Sequence, residues 1–175
     1  MQSMKFLLGV VVGLLLLPLG AFLYIRQGYA PVATSSPMLP LERQVTSMAL
    51  NARIAKEAPA NSPMSPNEEN LVAGARIYRE HCAVCHGMRD ESRTASAKGM
   101  FPHPPPLLHG KGVTGDPPGQ VWWVVRNGIR LSGMPGFVGS LTDDEIWQVT
   151  LLLSNADKLP PAAATALDGA MRLAQ

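Results

Sequence analysis

The chain has 175 residues, with 15 basic and 13 acidic side chains and a formal net charge of +2. That length accommodates one ordinary domain together with an anchor and a linker. The small net charge excludes the strongly basic surface with which proteins bind nucleic acids or anionic membrane surfaces.

The first predicted element is an apolar helix close to the N-terminus. The run from Phe6 to Ile25 carries no charged residue, with Lys5 before it and Arg26 after it. About 20 apolar residues are enough to cross a hydrocarbon core of roughly 30 Å as a helix. A cleaved signal peptide is the alternative, although its apolar region is typically only about 7–15 residues long. We therefore predict a retained membrane anchor over residues 1–26.

Residues 27–64 are predicted to be a linker that contains one helix. The stretch 27–40 is rich in Pro, Ser, Ala and Thr, which is the composition of an extended tether. Apolar residues then recur at three- and four-residue steps, which predicts an amphipathic helix near 41–58. These residues are Leu41, Val45, Met48, Ala52 and Ala55. We interpret the apolar face as packed on the main domain, with docking to a membrane partner as the alternative.

Two further helices are indicated by their start signals. The first begins near Ser65-Pro66, because serine can cap a helix and proline suits its first position. Gly74 lies inside this helix, where glycine is unfavourable, so we expect another helix to approach closely there. The second begins at Asp116-Pro117, again a cap residue followed by proline.

Residues Cys82 to His86 read Cys-Ala-Val-Cys-His. Two thiols three positions apart with a histidine directly after the second are the pattern of c-type haem attachment. Each thiol adds to one vinyl group of the porphyrin, and the adjacent imidazole can then bind the iron axially. A redox dithiol or a zinc site is the alternative, but the chain shows neither a βαβ pattern nor a second cysteine pair. We predict one covalently attached haem c, bound by Cys82, Cys85 and His86.

Between Phe101 and Gly110 the chain contains four prolines, which cannot continue a helix or a central strand. We interpret this segment as a stiff wall beside the haem. Its backbone carbonyls are free to accept a hydrogen bond from the other ring nitrogen of His86, and such a bond fixes the tautomer and orientation of a ligand.

Met134 lies between Gly133 and Pro135 in a tight, non-helical turn. A thioether is a suitable sixth ligand for haem iron and raises the reduction potential. A buried core methionine is the other interpretation. Other candidate ligands between the two motifs are Met100, His103 and His109. A bis-histidine haem would need one of those histidines to reach the iron, and we favour Met134 as the ligand.

The last strongly predicted helix begins with a capping box. Thr142 and Glu145 have the spacing at which each side chain binds the backbone of the other. Beyond this helix, residues 160–175 are rich in alanine and weakly patterned, and we expect a loosely held C-terminal tail.

From Ser65 to Leu159 the chain resembles class I c-type cytochromes, in particular the single-haem domains of oxidase- and dehydrogenase-associated cytochromes. The resemblance rests on the haem motif, on Gly74 and Tyr78 in the first helix, on the proline-rich run and on the Gly133-Met134-Pro135 turn. It implies an all-α fold, with a cytochrome c-like haem domain over 65–159, an N-terminal transmembrane helix and an extra linker helix. It also implies that a carbonyl in the Pro104 to Pro106 stretch accepts the hydrogen bond from His86, with Pro106 as the best match.

The resemblance further implies a membrane-tethered electron carrier rather than an enzyme, with the haem domain on the periplasmic side of the cytoplasmic membrane. Its partners would be redox proteins, such as a terminal oxidase, a bc1-type complex or a dehydrogenase, and no nucleic acid. Between His86 and Met134 six basic residues stand against three acidic ones, so either a basic face for an acidic partner or a solvated mixed surface is expected. The alternatives are a haem-based gas-binding or sensor protein and an electron-transfer subunit of a dehydrogenase or oxidase complex.

Overall fold

A computed structural model describes residues 2–89 and 93–169, and within them every regular element is a helix. This confirms the all-α prediction. The α-helices are α1 (Gln2–Arg26), α2 (Glu42–Glu57), α3 (Glu68–Ile77), α4 (Ala83–His86), α5 (Ala95–Gly99), α6 (Pro118–Asn127), α7 (Asp143–Ser154) and α8 (Pro161–Asp168). A π-helical turn, Tyr78–Cys82, joins α3 to α4. The chain divides into two compact units, Met1–Arg43 and Gln44–Gln175.

The first unit contains α1, a helix of 25 residues without a buried side chain. It is long and apolar enough to cross a membrane, and it lies near the N-terminus. A signal sequence close to the N-terminus can also be long and apolar enough to meet this description. The helix is therefore a candidate for either a membrane anchor or a signal sequence.

The core of the second unit lies where α3 crosses α7. Gly74 is at the crossing, and a Cβ atom at this position would overlap the backbone carbonyl of Gln148. This confirms the close approach that we predicted at Gly74, because only glycine leaves room for the second backbone. Tyr78 and Leu152 are fully buried in the core around the crossing.

Two helix starts differ from those predicted. The side chain of Asn67, not that of Ser65, caps α3 by accepting a hydrogen bond from the backbone nitrogen of Asn70. Helix α6 starts at Pro118 without a side-chain cap, so Asp116 does not have the predicted role. Several cap-type residues and prolines precede each helix, and local sequence alone does not choose among them.

The start of α7 agrees with its prediction. Thr142 accepts from the backbone nitrogen of Glu145, and the Glu145 carboxylate accepts from the backbone nitrogen of Thr142. This reciprocal pair is the predicted capping box. It satisfies two backbone donors that would otherwise be unpaired at the helix start.

The C-terminal segment is better ordered than we predicted for a tail over 160–175. Residues Pro161–Asp168 form α8, which packs against α3. Ala163 and Leu167 are fully buried, and their four-residue spacing places them on one face of the helix. High helix propensity of alanine and two buried contacts are sufficient to fix this helix. Residues 170–175 lie outside the described residues.

The end of α2 packs on α6 through a face that the sequence pattern did not indicate. Ile54 is buried, and Nε1 of Trp123 donates a hydrogen bond of 3.2 Å to the Glu57 carboxylate. A Cβ on Gly119 would overlap the carbonyl oxygen of Pro59, so the chain after α2 also lies directly against α6.

The apolar stripe that we predicted to pack on the domain is instead exposed. Val45 is 55% exposed and Met48 is 68% exposed. The buried residue of α2 is Ile54, which is not part of the predicted stripe. Helical spacing identifies an apolar stripe, but it does not show which side of a helix finds a partner.

Candidate haem-attachment site

The cysteine motif follows α3 along a continuous helical path through the π-helical turn and α4. The hydroxyl of buried Tyr78 donates a 2.7 Å hydrogen bond to the carbonyl of Gly87, directly after the motif. Gly87 has φ +77°, a left-handed conformation that suits glycine and ends α4 at His86. The histidine is therefore the last residue of a helix that is fixed to the core on both sides of the motif.

The imidazole of His86 is oriented by the proline-rich segment. Its Nδ1 lies 2.8 Å from the carbonyl oxygen of Pro105. A carbonyl can only accept, so Nδ1 carries the proton and Nε2 keeps its lone pair. Burial lowers the pKa of His86, and the bond to Pro105 offsets part of that effect. The ring is thus neutral near pH 7, which is the form that binds metals.

The acceptor lies within the predicted Pro104 to Pro106 stretch but differs by one residue from the best match. We predicted the carbonyl of Pro106, and the structure places that of Pro105 beside His86. Successive carbonyls of a non-helical chain point in different directions, so the correct segment does not identify the correct residue. The segment itself has the predicted role of a wall that holds the ring.

Cys82 and Cys85 form no disulfide with each other, and each is half-buried. Burial, and to a smaller extent the neighbouring Cys85, raises the pKa of Cys82 to about 12. A redox-active dithiol instead has a thiol with a lowered pKa. Within residues 2–89 and 93–169 no three His, Cys, Asp or Glu side chains group as metal ligands. The raised pKa of Cys82 argues against the dithiol alternative.

Met134 lies in the loop between α6 and α7. Its backbone nitrogen donates to the hydroxyl of Ser132 over 3.2 Å, and its carbonyl accepts from the nitrogen of Ile129 over 3.2 Å. The side chain is half-buried and packs against the same core cluster as Cys82. The predicted distal ligand and one attachment thiol therefore both pack against the main core of the domain.

The surroundings suit a flat apolar group. Several half-buried apolar side chains contact the core cluster together with Cys82 and Met134, namely Leu107, Leu108, Trp122 and Phe137. Two thiols, a neutral imidazole with a free nitrogen and a thioether are the donor set of a covalently bound haem. The residues present fit this cofactor: Cys82 and Cys85 would hold the porphyrin, and His86 and Met134 would bind the iron.

The other candidate ligands are less suitable. Nε2 of His109 lies 3.0 Å from the carbonyl oxygen of Met88, and that nitrogen is therefore engaged. His103 is exposed to solvent. Met100 is half-buried and lies against Gly133, the residue before Met134.

Sequence reasoning missed Thr94. Its hydroxyl donates a 2.7 Å hydrogen bond to the carbonyl of Val84, inside the cysteine motif, and its oxygen caps α5. The signal was a threonine directly before a short alanine-rich stretch, Ala95–Gly99. That stretch is too short to show a periodic pattern, so the sequence alone does not predict a helix there.

Residues 69–152 match the family described as cytochrome C oxidase, cbb3-type, subunit III. This segment is a c-type cytochrome domain, and its all-helical fold is that expected of class I c-type cytochromes. Such domains transfer electrons, so electron transfer is the activity that the domain implies.

The chain is 28% identical over 144 residues to thiosulfate dehydrogenase of Stutzerimonas stutzeri (strain A1501), over 79% of this chain and 46% of that protein. It thus spans about half the length of this curated relative. A chain in the solved reducing HAO-like protein complex of Kuenenia stuttgartiensis is also similar, with a TM-score of 0.49 and 29% identity. That similarity covers 57% of this chain and 49% of the other.

Proposed function

We propose that this chain is a membrane-tethered monohaem c-type cytochrome that carries single electrons between redox proteins. Cys82 and Cys85 bind one haem c covalently, and His86 and Met134 are its axial ligands. When bound, the haem supplies one-electron oxidation and reduction. Because both axial positions are filled by side chains, no coordination site is left for a substrate, and the chain is a carrier and not an enzyme.

The observation that supports this proposal best is the hydrogen bond from Nδ1 of His86 to Pro105. It leaves Nε2 as the free metal-binding nitrogen and places it directly after two thiols. A buried histidine in a purely structural role has no need of this arrangement next to Cys85. Residues 69–152 match a cytochrome family, and this match supports haem as the cofactor that the arrangement binds.

The anchor and the linker follow from the first part of the chain. We propose that residues 1–26 remain in the cytoplasmic membrane and that residues 27–64 are a linker that includes α2. The haem domain, residues 65–159, then lies on the periplasmic side. A flexible tether raises the effective concentration of the domain at partners in the same membrane. Terminal oxidases, bc1-type complexes and dehydrogenases are the classes of partner that this arrangement suits.

A second candidate function is that of an electron-transfer subunit in a dehydrogenase or oxidase complex. The names of the matching family and relative favour it, since one is an oxidase subunit and the other a dehydrogenase. Purification from detergent-solubilised membranes separates the two functions. A stable complex with a catalytic chain indicates a subunit, whereas the chain on its own indicates a free carrier.

The proposal is tested with the full chain purified from membranes after haem maturation. We expect one covalently bound haem per chain and, in the oxidised protein, a sulfur-to-iron charge-transfer band. Met134→Ala should remove this band and lower the reduction potential. Met48→Ala, which changes an exposed methionine on α2, is the matched control and should leave both unchanged.

Three results would contradict the proposal. Absence of covalent haem would exclude the cofactor, and a band unaffected by Met134→Ala would exclude that ligand. Rapid binding of CO to the reduced wild-type protein would show an open iron site, and it would favour the gas-binding alternative.

A further inference from the structure

Helix α5 and the residues beside it contact both segments that provide the proposed haem ligands, namely the cysteine motif and the loop of Met134. At its start, the Thr94 hydroxyl donates to the carbonyl of Val84 over 2.7 Å, in the middle of the cysteine motif. At its end, the next residue, Met100, lies against Gly133 in the loop that carries Met134. A single short element therefore contacts both the attachment motif and the distal loop.

The contact between Met100 and Gly133 is close. A Cβ built on Gly133 would lie 2.8 Å from Sδ of Met100, 3.3 Å from its Cγ and 3.4 Å from its Cε. The methionine side chain therefore occupies the space that a side chain at position 133 would need. Ala97 in the middle of α5 is fully buried, which fixes the short helix to the domain.

The distal loop is held mainly by backbone hydrogen bonds, and some of them join its C-terminal part to α6. Close to Met134, the loop is held by the bond to Ser132 and the bond from Ile129, each 3.2 Å long. The thioether of Met134 also needs its backbone at a fixed place, because a displacement of a ligand or reacting group by about 1 Å is enough to impair a site. The Met100 side chain adds a packing constraint to these hydrogen bonds, and it acts on the residue directly before the ligand.

We infer that Met100 is a positioning residue, which holds the backbone at Gly133 so that Met134 reaches the iron. Helix α5 fixes the position of this loop relative to the cysteine motif. The inference rests on the proposed function, because it takes Met134 as the sixth ligand. Met100 acts by filling space and does not bind the iron itself.

The first test replaces Met100 in the full-length, haem-loaded protein. Met100→Ala opens a gap behind Gly133, so we expect a weaker sulfur-to-iron band in the oxidised protein and a lower reduction potential. CO binding to the reduced protein should become about tenfold faster, which corresponds to about 1.4 kcal/mol in the opening equilibrium. Met100→Leu restores most of the volume without sulfur and should recover the wild-type spectrum and potential. Equal effects of both variants would overturn the packing role.

The second test uses a compensating pair. Gly133 does not have a positive φ, so its backbone accepts alanine, and the three atoms nearest to the added methyl all belong to the Met100 side chain. Gly133→Ala alone should displace Met100 and weaken the band. In the double variant Gly133→Ala/Met100→Ala the new methyl enters the vacated space, and the band should return towards the wild-type intensity. Additive losses in the double variant would contradict the inference.

The third test addresses the other end of α5. Thr94→Val removes the hydroxyl that binds the carbonyl of Val84, and we expect the same spectral change as for Met100→Ala with a smaller amplitude. Combined with Met100→Ala, its effect should be less than additive, because both changes release the same element. An unchanged spectrum in Thr94→Val would show that α5 does not link the two loops.

The experiments separate failure of this inference from failure of the proposed function. If Met134→Ala keeps the charge-transfer band, the ligand assignment is wrong. If the band then disappears only when Met100 is also replaced, Met100 is the ligand and not a positioning residue. If Met134→Ala removes the band but Met100→Ala changes neither band, potential nor CO binding, the proposed function stands and this inference alone is wrong.

Discussion

At both Gly74 and Gly133 another group occupies the space that a side chain would need. The two occupying groups differ in kind. At Gly74 the neighbour is the backbone carbonyl of Gln148 in α7, and at Gly133 it is the side chain of Met100. A helix backbone cannot move without separating the helices, whereas a methionine side chain changes rotamer at small cost. The close approach at Gly74 is therefore between two backbones, and the one at Gly133 involves an adjustable side chain.

Burial differs between the two regions in the same way. At the crossing, Tyr78 and Leu152 are fully buried, and the packing is complete within the protein. Around the proposed haem site, Leu107, Met134 and Phe137 remain half-buried. Half-buried apolar side chains gain further stabilisation when a large apolar group covers them. We expect the crossing to set the stability of the domain and the loops to depend on the haem.

The largest effect is expected at the crossing. Gly74→Ala places a methyl against the Gln148 carbonyl and 3.1 Å from Cβ of Leu152, so α3 and α7 must separate. We expect a loss of about 3 kcal/mol in the free energy of unfolding, at the upper end of overpacking effects. Denaturant unfolding of the haem-loaded protein, followed by circular dichroism, measures this loss.

Two other glycines are the matched controls for this prediction. A Cβ on Gly139 meets nothing within 4 Å, so Gly139→Ala should leave stability unchanged within about 0.5 kcal/mol. Gly133→Ala should cost less than about 1 kcal/mol, because Met100 can give way, while it changes the haem spectrum. A stability loss for Gly133→Ala as large as that for Gly74→Ala would remove the proposed difference between the two regions.

An intermediate effect is expected where the core meets the cysteine motif. Tyr78→Phe removes the hydroxyl that donates to the carbonyl of Gly87 and leaves that buried acceptor without its partner. We expect a loss of about 1–2 kcal/mol in the free energy of unfolding. The His86 ligand bond should be little affected, because Pro105 still orients the ring. A large change in reduction potential would instead show that the core positions the ligand directly.

The sequence predicted the parts of the fold that depend on strong local signals. The capping box of Thr142 and Glu145, the close approach at Gly74 and the all-α class are all confirmed. Each follows from a physical requirement of a few neighbouring residues. The ligand assignment of Met134 and the covalent haem stay predictions.

The features that sequence reasoning missed depend on contacts between distant residues. The carbonyl beside His86 belongs to Pro105 and not to Pro106, because carbonyl direction is decided by the folded loop. Helix α8 is stabilised by the burial of Leu167 in the domain. An alanine-rich sequence does not indicate that such a contact forms. Met100 could be named as a candidate ligand, but its contact with Gly133 required the fold.

The smallest effect is expected at the exposed start of α7. It tests whether the charge of Glu145 adds to the stability that packing gives the crossing of α3 and α7. The Glu145 carboxylate accepts from the backbone nitrogen and the hydroxyl of Thr142, each over 2.8 Å. These two bonds lower the pKa of Glu145 below its ordinary value of 4.5. A carboxyl group with a lowered pKa in the folded state stabilises the protein above its ordinary pKa, and this stabilisation is lost as the pH falls through the lowered value.

The measurement compares the Tm of wild type and Glu145→Gln between pH 7 and pH 3. Glutamine keeps an acceptor for the Thr142 backbone nitrogen but has no charge to lose, so its Tm should be lower at pH 7. The difference in Tm should narrow as the pH falls below about 4.5, where the wild-type carboxylate becomes protonated. A difference that stays constant over this range would show that the charge of Glu145 adds nothing to the helix start, and that packing alone determines the stability of this region.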